Sequence, residues 1–387
     1  MRKLIVFLLA AGLLFVLPAP VPAADKTVEE RLQALEDTIG SWTIYGSARF
    51  GTFYQKDSAG DLGAPSGPLS FSDNDNNKNT LWDMQGNSRI GFAAKHGDLG
   101  GDLLLGIHDT GVTIRHAFGS YQCGDLNFLI GKGETIFTNF TYSNQAGNPY
   151  TSDTDLQDWG FIDENFSPLV QMTYKGLTVQ LVQTSPTVAL SSSSATATYE
   201  TLLPHLEVQY HLAVDKFYGD VYGGAGTFKV KDVDTITVDT KVNSYTVGIG
   251  GGANIDPAFC GASIWYGRNA TSMGVVQVTG RGALIDAVTG DVTNEKDLGV
   301  AAVVGAKIQK VTVEAGYGFT SSQYDESGAP KIKGQSYYLQ AVVPIAETKN
   351  AKCFVVPEVG VFDQNDNDSG FKMGKTTYAG AKWQIDF

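Results

Sequence analysis

From Trp42 to Phe387, apolar and polar residues alternate with a period of two, in segment after segment. In WTIYGSARFGTFY, Trp42, Ile44, Gly46, Ala48 and Phe50 share one face, while Thr43, Tyr45, Ser47 and Arg49 share the other. HLEVQYHL sets Leu206, Val208, Tyr210 and Leu212 against His205, Glu207, Gln209 and His211. In VTVEAGYGFT, Val311, Val313, Ala315, Tyr317 and Phe319 oppose Thr312, Glu314 and Thr320. Successive side chains of a strand point to opposite sides, so each run reads as a strand with one apolar face. The segments are about ten residues long, the length a tilted strand needs to cross a bilayer. After residue 23 no run reaches the roughly 18 apolar residues of a membrane helix. A closed barrel is the other way to satisfy every backbone group in lipid.

The connections carry a second rhythm. Very short ones fall at His96–Asp98, Cys123–Asp125, Lys175–Gly176, Val214–Lys216, Ile255–Pro257 and Gln309–Lys310. Between them lie long polar ones at Gln55–Asn79, Glu134–Ser167, Thr187–Thr201, Asn269–Lys296, Ser321–Gly334 and Asp363–Lys375, with a short hairpin near Asp109–Gly111 as the exception. Strands counted between these turns number about sixteen, an even number, with short turns on one rim and long loops on the other. The fold class expected is all-β, a transmembrane antiparallel β-barrel over residues 42–387. A soluble sandwich or propeller also alternates, but its apolar face packs inward and its long loops need not gather at one end. No repeat marks propeller blades. The apolar face here carries small residues and aromatics, as expected beside lipid. Glycine (45), Tyr (17) and Phe (20) are abundant and only 18% of residues are charged, a composition that weakens helices.

The first 23 residues, MRKLIVFLLAAGLLFVLPAPVPA, join a basic start at Arg2 and Lys3 to an apolar stretch and a Val21-x-Ala23 site. This is the pattern of a cleaved secretory signal peptide. Residues 24–41 then place Val28, Leu32, Leu35 and Ile39 at heptad spacing, with acids and Arg31 outside. Two readings stand: a short amphipathic helix packed on the rest of the chain, or a small parallel coiled coil joining copies. The net charge of −13, less the two cations of the leader, is −15, which argues against a nucleic-acid partner. Cys123, Cys260 and Cys353 are odd in number and far apart, so they form neither a zinc motif nor a disulfide framework.

Several stretches resemble the general porins of Gram-negative outer membranes. WTIYGSARFG resembles their first strand, NSRIGFAAKHGDLGGDLLLGI (87–107) their second hairpin, and RHAFGSYQCGDLNFLIGKGET (115–135) the strands leading to their third loop. The final KWQIDF resembles their assembly signal, with Trp383, Ile385 and Phe387 on one face. The motifs cover the first third and the last strand, and the middle matches only in rhythm. The resemblance implies a homotrimer in the outer membrane, with lipid, itself and the barrel-assembly machinery as partners. It also implies that the third loop, residues 134–167, folds into the channel. That loop holds Asp153, Asp155, Asp158, Asp163 and Glu164, set by the resemblance against Arg49, Arg89 and Lys132 on the wall. Arg49 and Arg89 fall on the polar face. Strict alternation puts Lys132 beside Phe128 and Ile130, facing lipid, and a bulge near Gly131 or Gly133 would turn it inward. The family's Pro-Glu-Phe-Gly-Gly loop tip is absent.

Opposed acids and bases at a narrow point would set a transverse field and bias ion selectivity. Lys95, Glu207, Asp220, Glu314, Glu358, Lys307 and Lys382 also fall on the lumen face, a weak surplus of acids. His205, Glu207 and His211 share a face, but positions two apart on a strand are about 7 Å apart, so lumen lining is expected rather than a metal site. DNDNNK (73–78) and DQNDNDSG (363–370) lack the glycine and glutamate of a calcium loop. GIGGGAN at 248 lies in a strand with no helix after it, and neither a nucleophile elbow nor HExxH occurs. No catalytic residue and no cofactor is expected. The function expected is a water-filled pore for passive diffusion of ions and small hydrophilic solutes. The alternatives are a substrate-selective pore, for phosphate or another small anion, and a non-channel barrel acting as adhesin or enzyme.

Overall fold

A computed structural model describes residues 27–31, 40–58, 78–108, 111–137, 156, 158–164, 166–192, 195–234, 236–365 and 374–387. The chain divides into two units, Met1–Ser41 and Trp42–Phe387. Of the first, residues 28–31 form a helical turn whose start is a capping box. Thr27 Oγ1 accepts the Glu30 N–H, and Glu30 Oε2 accepts the Thr27 N–H at 2.8 Å. The leader and the rest of the heptad seam, Leu32, Leu35 and Ile39, lie outside the described residues.

The second unit is a closed antiparallel barrel of 16 strands. The strands are β1 (Ser41–Ser58), β2 (Lys78–Met84 continued by Ser88–His96), β3 (Leu99–His108), β4 (Gly111–Cys123), β5 (Leu126–Glu134), β6 (Phe166–Tyr174), β7 (Leu177–Val182) and β8 (Ala197–Glu200 continued by His205–Val214). There follow β9 (Phe217–Val233), β10 (Ile236–Ile255), β11 (Ala258–Arg268), β12 (Glu295–Ile308), β13 (Val311–Tyr324), β14 (Ile332–Glu347), β15 (Lys352–Asn365) and β16 (Gly374–Asp386). Each strand pairs with the next, and β16 returns to β1 with Ile385 opposite Ala48 and Trp383 opposite Phe50. Gly46 and Phe387 exchange both backbone hydrogen bonds, at 2.9 and 3.1 Å, so the last residue lies inside the ladder.

The alternation read from the sequence is the alternation of the wall. Ile44, Trp82, Ile130 and Val304 are exposed, while Arg49, His205, Glu207 and Lys382 are buried on the inner face. One ladder row, Tyr210, Val221, Ile249, Ile264, Val300 and Phe319, carries the apolar belt across six consecutive strands. Water-soluble monomers rarely show an apolar belt this continuous, and it suits a hydrocarbon surround. The β9–β10 hairpin is longer than a bilayer needs, at 17 and 20 residues. Its tight turn at Asp234, where φ is 52°, went unmarked in the sequence because alternation runs through it on both sides. The hairpin's outer end is covered by a three-stranded sheet from Ala189–Leu190, Leu284–Ile285 and Val292–Thr293, which seals Phe228, Val230, Val242 and Ile285 in one apolar cluster.

The inner face is not uniformly polar. Tyr222, Trp265, Ala301, Val303 and Tyr338 point inward and are buried. The reason is that two connections fold against them. One is the loop after β5, as the resemblance implies. The other is residues 269–294, read from the sequence only as a long polar loop. Its Met273, Val275 and Val278 would be misplaced in solvent and instead pack on the wall. The two connections meet in an antiparallel bridge between Asp163 and Val276, whose N–H donates to the Asp163 carbonyl at 2.7 Å.

Candidate functional site: the lumen wall and its loops

The basic side is built on β1 and β2. Between Met84 and Ser88 the second strand breaks, and the ladder to β1 is repaired by a side chain. Ser88 Oγ accepts the Arg49 N–H at 3.0 Å and donates to the Arg49 carbonyl at 3.1 Å, while the Gln85 N–H takes the same carbonyl at 3.0 Å. Arg49 is thereby fixed on the inner face, with Nε donating to Ser47 Oγ at 3.1 Å. Arg89 stands next to Ser88, on the inner face opposite Gly106. Beside it Tyr45 Oη donates to Asp102 at 2.6 Å, and His116 Nδ1 lies 3.2 Å from the same carboxylate. This network was not legible in the sequence because its members come from β1, β3 and β4. The ladder from β3 to β4 slips at Leu104/Leu105, which makes Arg115 an extra residue. The guanidinium of Arg115 sits 4.4 Å from the centre of the Phe166 ring, a cation–π contact.

The third expected base takes another place. The ladder of β5 is regular through Gly131 and Gly133, and Lys132 stands opposite Ala117 and Pro168, both exposed on the outer face. The irregularity expected near Gly131 lies one strand away, at Arg115, so it does not turn Lys132 inward.

Of the five loop acids, Asp153 and Asp155 lie outside the described residues. The other three are drawn to the wall between β8 and β15. Trp159 stacks on Phe362 with ring centres 5.2 Å apart, and Phe362 stacks on Tyr378 at the same spacing. Phe53 and Val278 complete this cluster. Next along the chain, Trp265 Nε1 donates to the Gly160 carbonyl at 3.1 Å. A Cβ on Gly160 would stand 2.3 Å from the Val300 carbonyl oxygen, and its φ of 149° is one that only glycine adopts freely. Leu156 and Phe161 fill the space over Ala301, Val303 and Tyr338. Asp158 is hydrogen-bonded to Asp163, and burial first, then the charge of Asp163, pushes its carboxyl well above the usual range. A bond between two carboxyls needs a proton between them, so this pair carries less than its formal charge.

Glu164 ends at β8. Its Oε1 lies 3.3 Å from His205 Nε2, which is itself 3.0 Å from Glu207 Oε1. His205 and Glu207 were expected to be too far apart to act together, yet their side chains lean toward each other and a loop residue joins them. His211, the third member of that strand face, turns instead to Asp220 at 2.8 Å, where Gln209 also donates at 2.7 Å.

The remaining charges of the inner face are held by neighbours. Glu314 accepts from Tyr338 Oη and from Gln340 Nε2, and Glu358 accepts from Tyr378 Oη at 2.7 Å. Lys382 is fully buried, whereas Lys95 is exposed near the short-turn rim. Beyond the residues read from sequence, Glu295 receives the Arg281 and Gly282 N–H groups and the Arg281 guanidinium. Asp297 receives the Ala270 N–H, Gln277 and Ser322. Both anchor the 269–294 connection. Among the described residues the three cysteines are free thiols.

No protein-family model matches the sequence, and no curated protein matches it. Solved structures do match its fold. The outer membrane channel DcaP of Acinetobacter baumannii is 18% identical, with a TM-score of 0.66, over 90% of this chain and 97% of that one. The trimer form of OmpT, an outer membrane protein of Vibrio cholerae, is 16% identical with a TM-score of 0.50, over 90% and 99%. OmpF of Salmonella typhi, solved in complex with daunomycin, is 11% identical with a TM-score of 0.50, over 89% and 97%. At these identities the likeness is one of fold: a porin-like barrel.

Proposed function

We propose that this chain forms a water-filled channel through a Gram-negative outer membrane, for passive diffusion of ions and small hydrophilic solutes. The observation that carries the reading is a closed barrel with an apolar belt outside, charge inside and two connections folded onto its inner wall. A barrel whose only role was structural would need neither buried bases nor an inward loop. On this reading Arg49 and Arg89 are pore-wall bases, and Asp153 and Asp155 are the loop acids left to oppose them. Asp158, Asp163 and Glu164 act as anchors. Residues 1–23 are a cleaved leader. Copies associate as a homotrimer, a reading supported by the trimer form of the similar OmpT. The Trp383, Ile385 and Phe387 face is what the assembly machinery reads. Purified protein in a planar bilayer tests the proposal. Stepwise conductance that grows with salt concentration is expected, and silence at every voltage would reject it. Reversal potentials for Arg89→Ala then test the basic wall, where an unchanged ion preference would remove Arg89 from it.

A further inference from the structure

Glu164, His205 and Glu207 place a carboxylate oxygen, an imidazole nitrogen and a second carboxylate oxygen within 4.8 Å of one another. All three side chains are almost wholly enclosed, with His205 and Glu207 at 0% exposure and Glu164 at 5%. They come from two parts of the chain, the inward loop and β8. Two acids and a histidine sealed from water make a costly arrangement unless shared protons or a cation compensate them.

We infer that Glu164, His205 and Glu207 bind one divalent transition-metal ion of the zinc class, which ties the channel loop to the barrel wall. Four observations support the site. The first is spacing. Two ligand atoms held about 2.0–2.1 Å from a tetrahedral ion are roughly 3.3 Å apart. His205 Nε2 stands 3.3 Å from Glu164 Oε1 and 3.0 Å from Glu207 Oε1. The second is an atom without a partner. Glu164 Oε2 is enclosed and has no hydrogen-bond partner among the described residues, which leaves it to complete a fourth position. The third is outer support. Glu207 Oε2 accepts the Ile136 N–H at 2.9 Å, and His205 Nδ1 lies 3.3 Å from Thr184 Oγ1. Metal-binding side chains are commonly oriented in this way by groups behind them. The fourth is close approach. A Cβ on Gly274 would stand 3.2 Å from Glu164 Oε1, and one on Gly226 would stand 2.7 Å from the His205 Cβ, so glycines let both walls close on the cluster.

Charge and ligand type narrow the ion. Two carboxylates and a neutral imidazole balance one divalent cation. An imidazole nitrogen in a set of three donors suits zinc, whereas calcium takes six to eight oxygens and magnesium keeps most of its water.

The test uses the full protein, folded in detergent, stripped with a chelator and then equilibrated with Zn2+ in the presence of excess Ca2+ and Mg2+. About one Zn2+ per chain is expected to remain. Zinc-edge absorption should show only nitrogen and oxygen neighbours at about 2.0–2.1 Å, with the signature of a single imidazole. Glu164→Gln keeps the shape of the side chain and should weaken binding at least about 100-fold, the upper end of what loss of an outer-shell partner costs. The heat-dependent gel shift of the barrel should be unchanged. Equal binding by Glu164→Gln, or a wild type that retains no zinc, would overturn the inference. If the variant fails to fold, the wild-type absorption spectrum decides, and a sulfur neighbour or a shell without imidazole rejects the site.

Discussion

The two sides of this lumen obey one alternation rule and end up with opposite characters. On β1 to β4, Arg49, Asp102 and His116 are held by short polar contacts, and one of their supports is a serine hydroxyl standing in for a ladder bond. On β8 to β15, the inward positions are Tyr222, Trp265, Val303 and Phe362, and loop residues cover them. A strand pattern assigns each residue to a face, but it does not say what that face will meet. On the first side the charges are held by strand and side-chain contacts, whereas on the second the loops cover an inner face that mixes apolar rings with buried acids, Glu207, Asp220, Glu295, Asp297, Glu314 and Glu358.

This contrast can be broken from the covered side first. Trp159→Ala removes a stacked ring from a closed cluster and should cost about 3–5 kcal/mol. Denaturant unfolding in detergent should show the loss, and the freed loop should raise single-channel noise. An unchanged midpoint would mean that Trp159 does not anchor the loop.

Asp158 gives the next effect, read as pH dependence. Its folded pKa is raised above the usual 3.8, so from that value upward the unfolded chain releases a proton that the folded chain keeps. Stability should therefore fall as pH rises, by up to about 1.4 kcal/mol per pH unit, until the folded pKa is passed. Asp158→Asn should flatten that slope. It should also relieve the backbone, since φ here is 64° and Asn tolerates that region. A slope identical in the variant would place the buried proton elsewhere.

On the other wall, Ser88→Ala deletes both hydroxyl bonds to the Arg49 backbone and should cost about 1 kcal/mol. The more telling readout is ion preference, which should shift in the same direction as in Arg49→Ala. If Ser88→Ala lowers stability but leaves preference at the wild-type value, the hydroxyl supports the strand and not the arginine. The smallest effect is expected at Lys132→Ala. Its outward ladder position predicts conductance and ion preference equal to wild type, and a change in either would put the side chain back in the pore.

Much of the barrel was legible because lipid enforces a simple code: one face apolar, every backbone group paired, turns short on one side. The strand number follows from the turns along residues 42–387 and the closure of β16 on β1 from residues 374–387 read in that code, whereas the inward loop at 134–167 was implied by the resemblance to the general porins. What stayed hidden depends on contacts between distant segments. The sequence separation of Glu164 from His205 gives no hint that they touch, and strand spacing alone argued against His205 acting with Glu207. The inward fold of 269–294 was signalled by the apolar run at 273–278, but a run of that length inside a loop is ambiguous until a wall is there to receive it.

The hydrogen bond from Trp383 Nε1 to Thr52 Oγ1 joins residues 331 apart in sequence. Every other barrel seam between consecutive strands joins neighbours along the chain, so this one is different in time as well as in place. Measured from an unstructured chain, its closure costs roughly 4 kcal/mol more than that of a tight hairpin, since each doubling of loop length adds about 0.6 kcal/mol. The β1–β16 seam is therefore the one with the largest closure cost. Until it forms, two strand edges stand open, and the half-built barrel is a substrate for edge-to-edge aggregation or for any escort able to occupy those edges.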